Sequence, residues 1–134
     1  MSGWAYQLAT ESSRFDSGAA LSMYRGNTAG YTATVRDEVT NAPVDLTGAS
    51  LWFTVKRNRS DSDPGLFQKT LGNGIFIMDL ANGVAYVEIP PADTISLSTS
   101  LRYVWDFQVR NAAGVVQTTA TGFLTLFPRV TEAT

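Results

Sequence analysis

Three carboxylates on alternating-residue runs, Asp79, Glu88 and Asp106, are the side chains best suited to acid–base chemistry in this chain. A pair of them across a cleft would suit glycoside hydrolysis, where one carboxyl protonates the leaving oxygen and the other attacks the sugar or activates water. Their separation is not readable from spacing, and the outer face of any β-domain carries such residues. Asp61-Ser62-Asp63 offers oxygens to Ca²⁺ but lacks the ligand spacing and the bidentate Glu of a calcium loop, so a solvated loop is expected. Gly72-Asn73-Gly74 precedes a β-run rather than a Lys and a helix, which excludes a phosphate cradle. Lys56, Arg57 and Arg59 form a basic cluster at a strand end, expected as a solvated rim, with an anionic partner surface as the second reading. Asn58-Arg59-Ser60 matches a glycosylation sequon, which is idle without a secretory signal.

What is missing excludes more. The chain has no Cys and no His. Disulfides, thiolate nucleophiles, imidazole bases, the Ser-His-Asp triad and the usual zinc or haem ligands all go with them. No catalytic residue, cofactor or metal is therefore expected. Ten Lys+Arg stand against twelve Asp+Glu, and the sequence pI is about 4.9, a balance unlike that of nucleic-acid binders. No apolar stretch approaches the ~20 residues that span a bilayer, and the start, Met1-Ser2-Gly3-Trp4, carries no visible signal peptide. With 134 residues, 44% hydrophobic and 16% charged, a soluble single domain with a real core is expected rather than disorder.

Short strands separated by turn residues must position any site. Tyr31, Ala33 and Val35 alternate with polar neighbours, Leu51, Phe53 and Val55 share a face, and Leu101, Tyr103, Trp105, Phe107 and Val109 form the longest alternation. Ala81-Asn82-Gly83 predicts a hairpin with a type I′ turn between 75–80 and 84–89. Pro90 to Thr94 stops that strand and opens one helical turn. The pattern predicts an all-β fold, an Ig-like antiparallel β-sandwich of about seven to eight strands over 19–131, with an extended N-terminal arm at 1–18 and a tail at 132–134.

Large apolar groups fall where water is expected, and such surface marks interfaces. The arm carries Trp4, Tyr6 and Phe15, which would dock on the domain itself or on a neighbour; a frayed terminus is the alternative. Trp52 lies between Leu51 and Phe53, Val104 lies opposite the inward set of its strand, and around Phe123 and Phe127 both parities are apolar. A two-sided core strand is the alternative there. These seven residues are the protein-interface candidates. Trp52 and Tyr86 are candidates for a sugar-binding aromatic platform.

The order of several short motifs resembles a small Ig-like domain of tailed-phage virion proteins. Tyr24-Arg25-Gly26-Asn27-Thr28, Pro43-Val44-Asp45-Leu46-Thr47-Gly48-Ala49 and Leu51-Trp52-Phe53-Thr54-Val55-Lys56 are similar to its first half. Ile89-Pro90-Pro91-Ala92-Asp93-Thr94, Tyr103-Val104-Trp105-Asp106-Phe107 and the 122–131 segment are similar to its second. The likeness, over about 20–131, is to the N-terminal domain of phage upper-baseplate (BppU-like) proteins. It implies a non-enzymatic structural protein in the virion, made in the host bacterial cytoplasm, either decorating the capsid or accessory to tail or baseplate. The implied partners are other virion proteins, with the chain present in many copies or as a homo-oligomer, and neither nucleic acid nor membrane. A carbohydrate-binding module contacting host-surface glycan is the alternative function.

Overall fold

The computed structural model describes the backbone of residues 4–10, 14–16, 20–37 and 40–131, and the side chains of 20–37 and 40–131. Its strands are β1 (Trp4–Thr10), β2 (Arg14–Asp16), β3 (Leu21–Tyr24), β4 (Ala29–Asp37), β5 (Ser50–Lys56), β6 (Phe67–Leu71), β7 (Gly74–Asp79), β8 (Val84–Ile89), β9 (Arg102–Arg110) and β10 (Val116–Phe127). Among the described residues a single short helix, α1 (Pro91–Thr94), precedes β9. Each strand rests on the period of two that pleating imposes. In β9, Tyr103, Trp105, Phe107 and Val109 are buried while the residues between them face outward.

The fold is all-β. Hydrogen bonding runs continuously in the order β2-β1-β4-β8-β7-β6-β5-β9-β10-β3. A two-residue parallel pairing of β6 with β7, Thr70 to Gly74 and Leu71 to Ile75, joins a β1-β4-β8-β7 layer to a β6-β5-β9-β10-β3 layer. The inward residues of both layers share one core. In Ig-like sandwiches the second strand pairs with the fifth and the third with the sixth, across two sheets. Counting from β3, β4 pairs with β8 and β5 with β9, the second strand with the sixth and the third with the seventh, which is that arrangement with one extra strand between β5 and β8. The first strand, β3, crosses over to pair in parallel with the last, β10.

A second Ig-like feature is local. Tyr103, at the start of β9, donates its hydroxyl to the Ser98 carbonyl at 2.8 Å, which makes a tyrosine corner. Two residues on, where disulfide-bonded relatives of the architecture carry a cysteine, stands Trp105, 2% exposed. Just before this corner, α1 is tied to the turn after β3: Thr94 is fully buried and its hydroxyl accepts the Gly26 N–H at 2.8 Å. Lys69 and Asp93 tie α1 to β6 through an ion pair of 2.5 Å.

The backbone of the segment read as an arm runs as two strands, with β1 antiparallel to β4 and β2 antiparallel to β1. Trp4 is level with Asp37 and Tyr6 with Val35, and Phe15 is level with Leu8; their side chains lie outside those described. The β7–β8 hairpin forms, but its turn is not type I′. That turn needs φ > 0 at both central residues, and of Asn82 and Gly83 only Gly83 has it, at +69°. Asp79 takes the Asn82 backbone N–H and side-chain amide instead, and the register slips between Ile77 and Asp79.

Candidate interaction surface

In β10 the two apolar parities separate cleanly. A bulge between Thr118 and Ala120 shifts the phase of the strand, so that Thr119 and Ala120 are both buried. Beyond it Leu124 and Leu126 face the core and Phe123 and Phe127 face out, 41% and 45% exposed. Both apolar faces are therefore used, one for the core and one for a surface.

Neighbouring strands extend that surface. Phe123 pairs across the ladder with Val104 of β9, which is half-buried. The Arg102 guanidinium carbon lies 4.1 Å from the Phe123 ring centroid, capping one side of the ring. This cation–π contact is worth roughly 0.5–1 kcal/mol at an exposed site. Phe127 pairs with Tyr24 of β3, and their rings lie 6.0 Å apart with planes at 52°. Tyr24 is 54% exposed, and its place beside Phe127 follows from the parallel β3–β10 pairing, which no local sequence pattern reveals. Strand β3 is only four residues long, a length that blunts an exposed edge against indiscriminate pairing. Arg129 fixes the chain leaving β10 by donating to the Gly26 carbonyl and the Asn27 side-chain oxygen, both at 3.3 Å.

The sequence candidates thus divide. Val104, Phe123 and Phe127 come together at the β9–β10–β3 end. Trp52 is apart from them, level with Gln108 on the other half of the same sheet face, its ring 5.7 Å from the Arg110 guanidinium carbon. Tyr86 is on β8 in the opposite layer, so it forms no platform with Trp52. Its phenol lies across Gly30, where an added Cβ would come within 2 Å of the hydroxyl; any side chain at residue 30 would displace it. The sequence reading also passed over Phe76 and Met78 of β7, which are exposed on that opposite layer.

The charged candidates do not gather into one centre. Asp79 and Glu88 belong to the β7–β8 pair and Asp106 to β9. Asp61 accepts the Asn58 N–H within its own loop. Among the described residues no group of three or more His, Cys, Asp or Glu is placed to hold a metal ion. Two of the three basic residues are turned back on the domain: Lys56 pairs with Asp63 at 2.9 Å, and Arg59 donates to the Thr121 hydroxyl at 2.7 Å, while Arg57 is exposed. Among the described residues no helix is long and apolar enough to cross a membrane.

No family model matches the chain, and no curated protein does. Among solved structures, the chain is similar to AggA, the major subunit of aggregative adherence fimbriae type I from Escherichia coli. The match has 15% identity, covers 93% of this chain and 96% of that one, and has a TM-score of 0.40.

Proposed function

We propose that this chain is a non-enzymatic structural subunit of a tailed-phage virion, attached to neighbouring virion proteins through the aromatic edge formed by Tyr24, Val104, Phe123 and Phe127. The observation that carries the attachment is that edge. Three rings, Tyr24, Phe123 and Phe127, face solvent on a framework whose core is filled by other residues. Exposed aromatic clusters of this kind are where protein interfaces concentrate their affinity. The virion assignment is supported by the motif order that resembles the phage Ig-like domain. The two fit physically, since a sandwich braced by ladder hydrogen bonds resists shear. Many copies on a symmetric shell or tail turn modest single contacts into firm attachment by avidity.

The test is quantitative mass spectrometry of particles purified from cells infected by the phage that encodes the chain. A fixed copy number per particle, retained through a density gradient, is the expected result. A chain found only in the lysate and absent from particles overturns the proposal.

A further inference from the structure

The outer face of the β6-β5-β9 half-sheet carries a chemically different surface, which adjoins the aromatic edge at Val104. Trp52, Thr54 and Lys56 of β5 lie level with Gln108, Asp106 and Val104 of β9, and Thr54 also with Gln68 of β6. With Asp63, all of these except Val104 bound a groove of about 490 Å³. On the other side of Trp52 a second depression of about 230 Å³ continues along β5 past Ser50 and Thr70. Trp52, half-buried, is the ridge between the two.

The lining narrows the ligand class. Lys56 is paired with Asp63 at 2.9 Å and Arg59 faces Asp106, so the groove presents balanced charges rather than the cluster of cations that a phosphate or nucleic acid calls for. Trp52 is the one large apolar group, too little for an apolar peptide. The polar groups are amides, hydroxyls and a carboxylate, which together both donate and accept. Gln68 is already oriented by donating to the Thr54 hydroxyl at 2.9 Å. Asp106 is held half out of water, facing Lys56, Asp63 and Arg59, and burial pushes its carboxyl up. No hydrogen bond within the described residues serves that carboxylate. A half-desolvated carboxylate of this kind is a ready acceptor for hydroxyl donors that a ligand brings. A pyranose supplies hydroxyl donors at several positions and an apolar C–H face that stacks on an indole.

We infer that this groove binds a neutral saccharide, Trp52 stacking on the sugar face while Asp106, Gln108 and Gln68 take its hydroxyls. The inference is independent of the virion role, since Trp52, Gln68, Asp106 and Gln108 are not among the residues of the aromatic edge. It also gives sugar binding a place that the Trp52–Tyr86 pair cannot provide.

The test uses the full chain, labelled with ¹⁵N and titrated with maltohexaose, cellohexaose, chitohexaose and the neutral hits of a printed glycan array. The Trp52 indole N–H and the Gln68 and Gln108 side-chain amides report directly on the groove. Saturable shifts of all three resonances with at least one sugar are expected. Trp52→Ala and Gln108→Ala should each weaken binding by about tenfold or more. Gln108→Ala, a half-exposed position, keeps the test valid should Trp52→Ala fail to fold. Absence of saturable shifts with every sugar, shifts confined to the β3–β10 edge, or unchanged affinity in a folded Gln108→Ala variant overturns the inference. A response to inorganic phosphate but to no sugar also overturns it.

Discussion

The indole of Trp105 lies stacked on the ring of Phe53, with centroids 5.8 Å apart and planes 30° from parallel, where β9 and β5 run side by side in the core. Both residues are essentially fully buried, and the one polar atom of the indole is served: Nε1 donates to the Phe123 carbonyl at 3.2 Å. A chain without cysteine has no disulfide to fill the centre of the sandwich, and this aromatic stack fills it instead. The same hydrogen bond ties the centre of the core to the backbone of the residue that carries the exposed edge.

Pairwise coupling between the two rings follows. Phe53→Leu and Trp105→Phe should each destabilise the fold, by about 1–3 kcal/mol. The double variant should lose less than the sum, with a coupling of about 0.5–1.5 kcal/mol. Urea unfolding followed by circular dichroism gives all four corners of the cycle.

Alkaline pH should unfold the domain partly through Tyr31. Its phenol is buried, donates to the Ser22 carbonyl at 3.2 Å, and is pushed up to about 12 by burial. In the unfolded chain it ionises near 10. The folded form therefore holds a proton that the unfolded form has released. Stability is full below about pH 10 and falls between about pH 10 and about pH 12, by at most about 3 kcal/mol. Tyr31→Phe should be less stable than the wild type at neutral pH, with the gap narrowing as pH passes 10. Urea midpoints of the two proteins at neutral and at alkaline pH check this.

The Lys69–Asp93 ion pair should be unforgiving of single changes. Both side chains are largely buried, so Asp93→Ala leaves an ammonium without its partner and should cost about 3–5 kcal/mol. Replacing both, Lys69→Met with Asp93→Leu, should recover much of that loss, because no charge then remains buried. Thermal melts of the single and double variants distinguish the cases.

Asp106 should cost stability rather than supply it. Burial is the main cause of its raised carboxyl pKa, with Lys56 and Arg59 pulling it down and Asp63 adding to the rise. A raised folded value means that the protonated form suits the fold, an advantage lost as pH climbs through that value. At neutral pH the ionised carboxylate is a burden, so Asp106→Asn should match or slightly exceed the wild type, by less than about 1 kcal/mol. The gain should vanish in acid. Melting temperatures across that range read it.

Much of the fold was legible because alternation is a local signal. The inward sets of β4, β5 and β9 follow from side chains two residues apart. The partnership of Tyr24 with Phe127 was not legible, because it arises from a parallel pairing between strands a hundred residues apart. The turn at Asn82 was misread because the Asn-Gly signal for a type I′ turn yields here to Asp79, which binds Asn82. Phe123 and Phe127 were found from the double apolar parity of β10, while the bulge at Thr118/Ala120 that sets their phase left no mark in the pattern. The groove around Asp106 was missed because its lining alternates across three strands whose order only the topology fixes.

The most direct measurement compares particle incorporation of the wild type with a Phe123→Ser/Phe127→Ser variant, supplied in trans to a phage lacking the chain. Both side chains face solvent, so the variant should fold with a melting temperature close to the wild type. The account predicts that wild-type chain is recovered in purified particles at fixed copy number while the folded variant stays in the lysate. Incorporation of the variant at the wild-type level would contradict it.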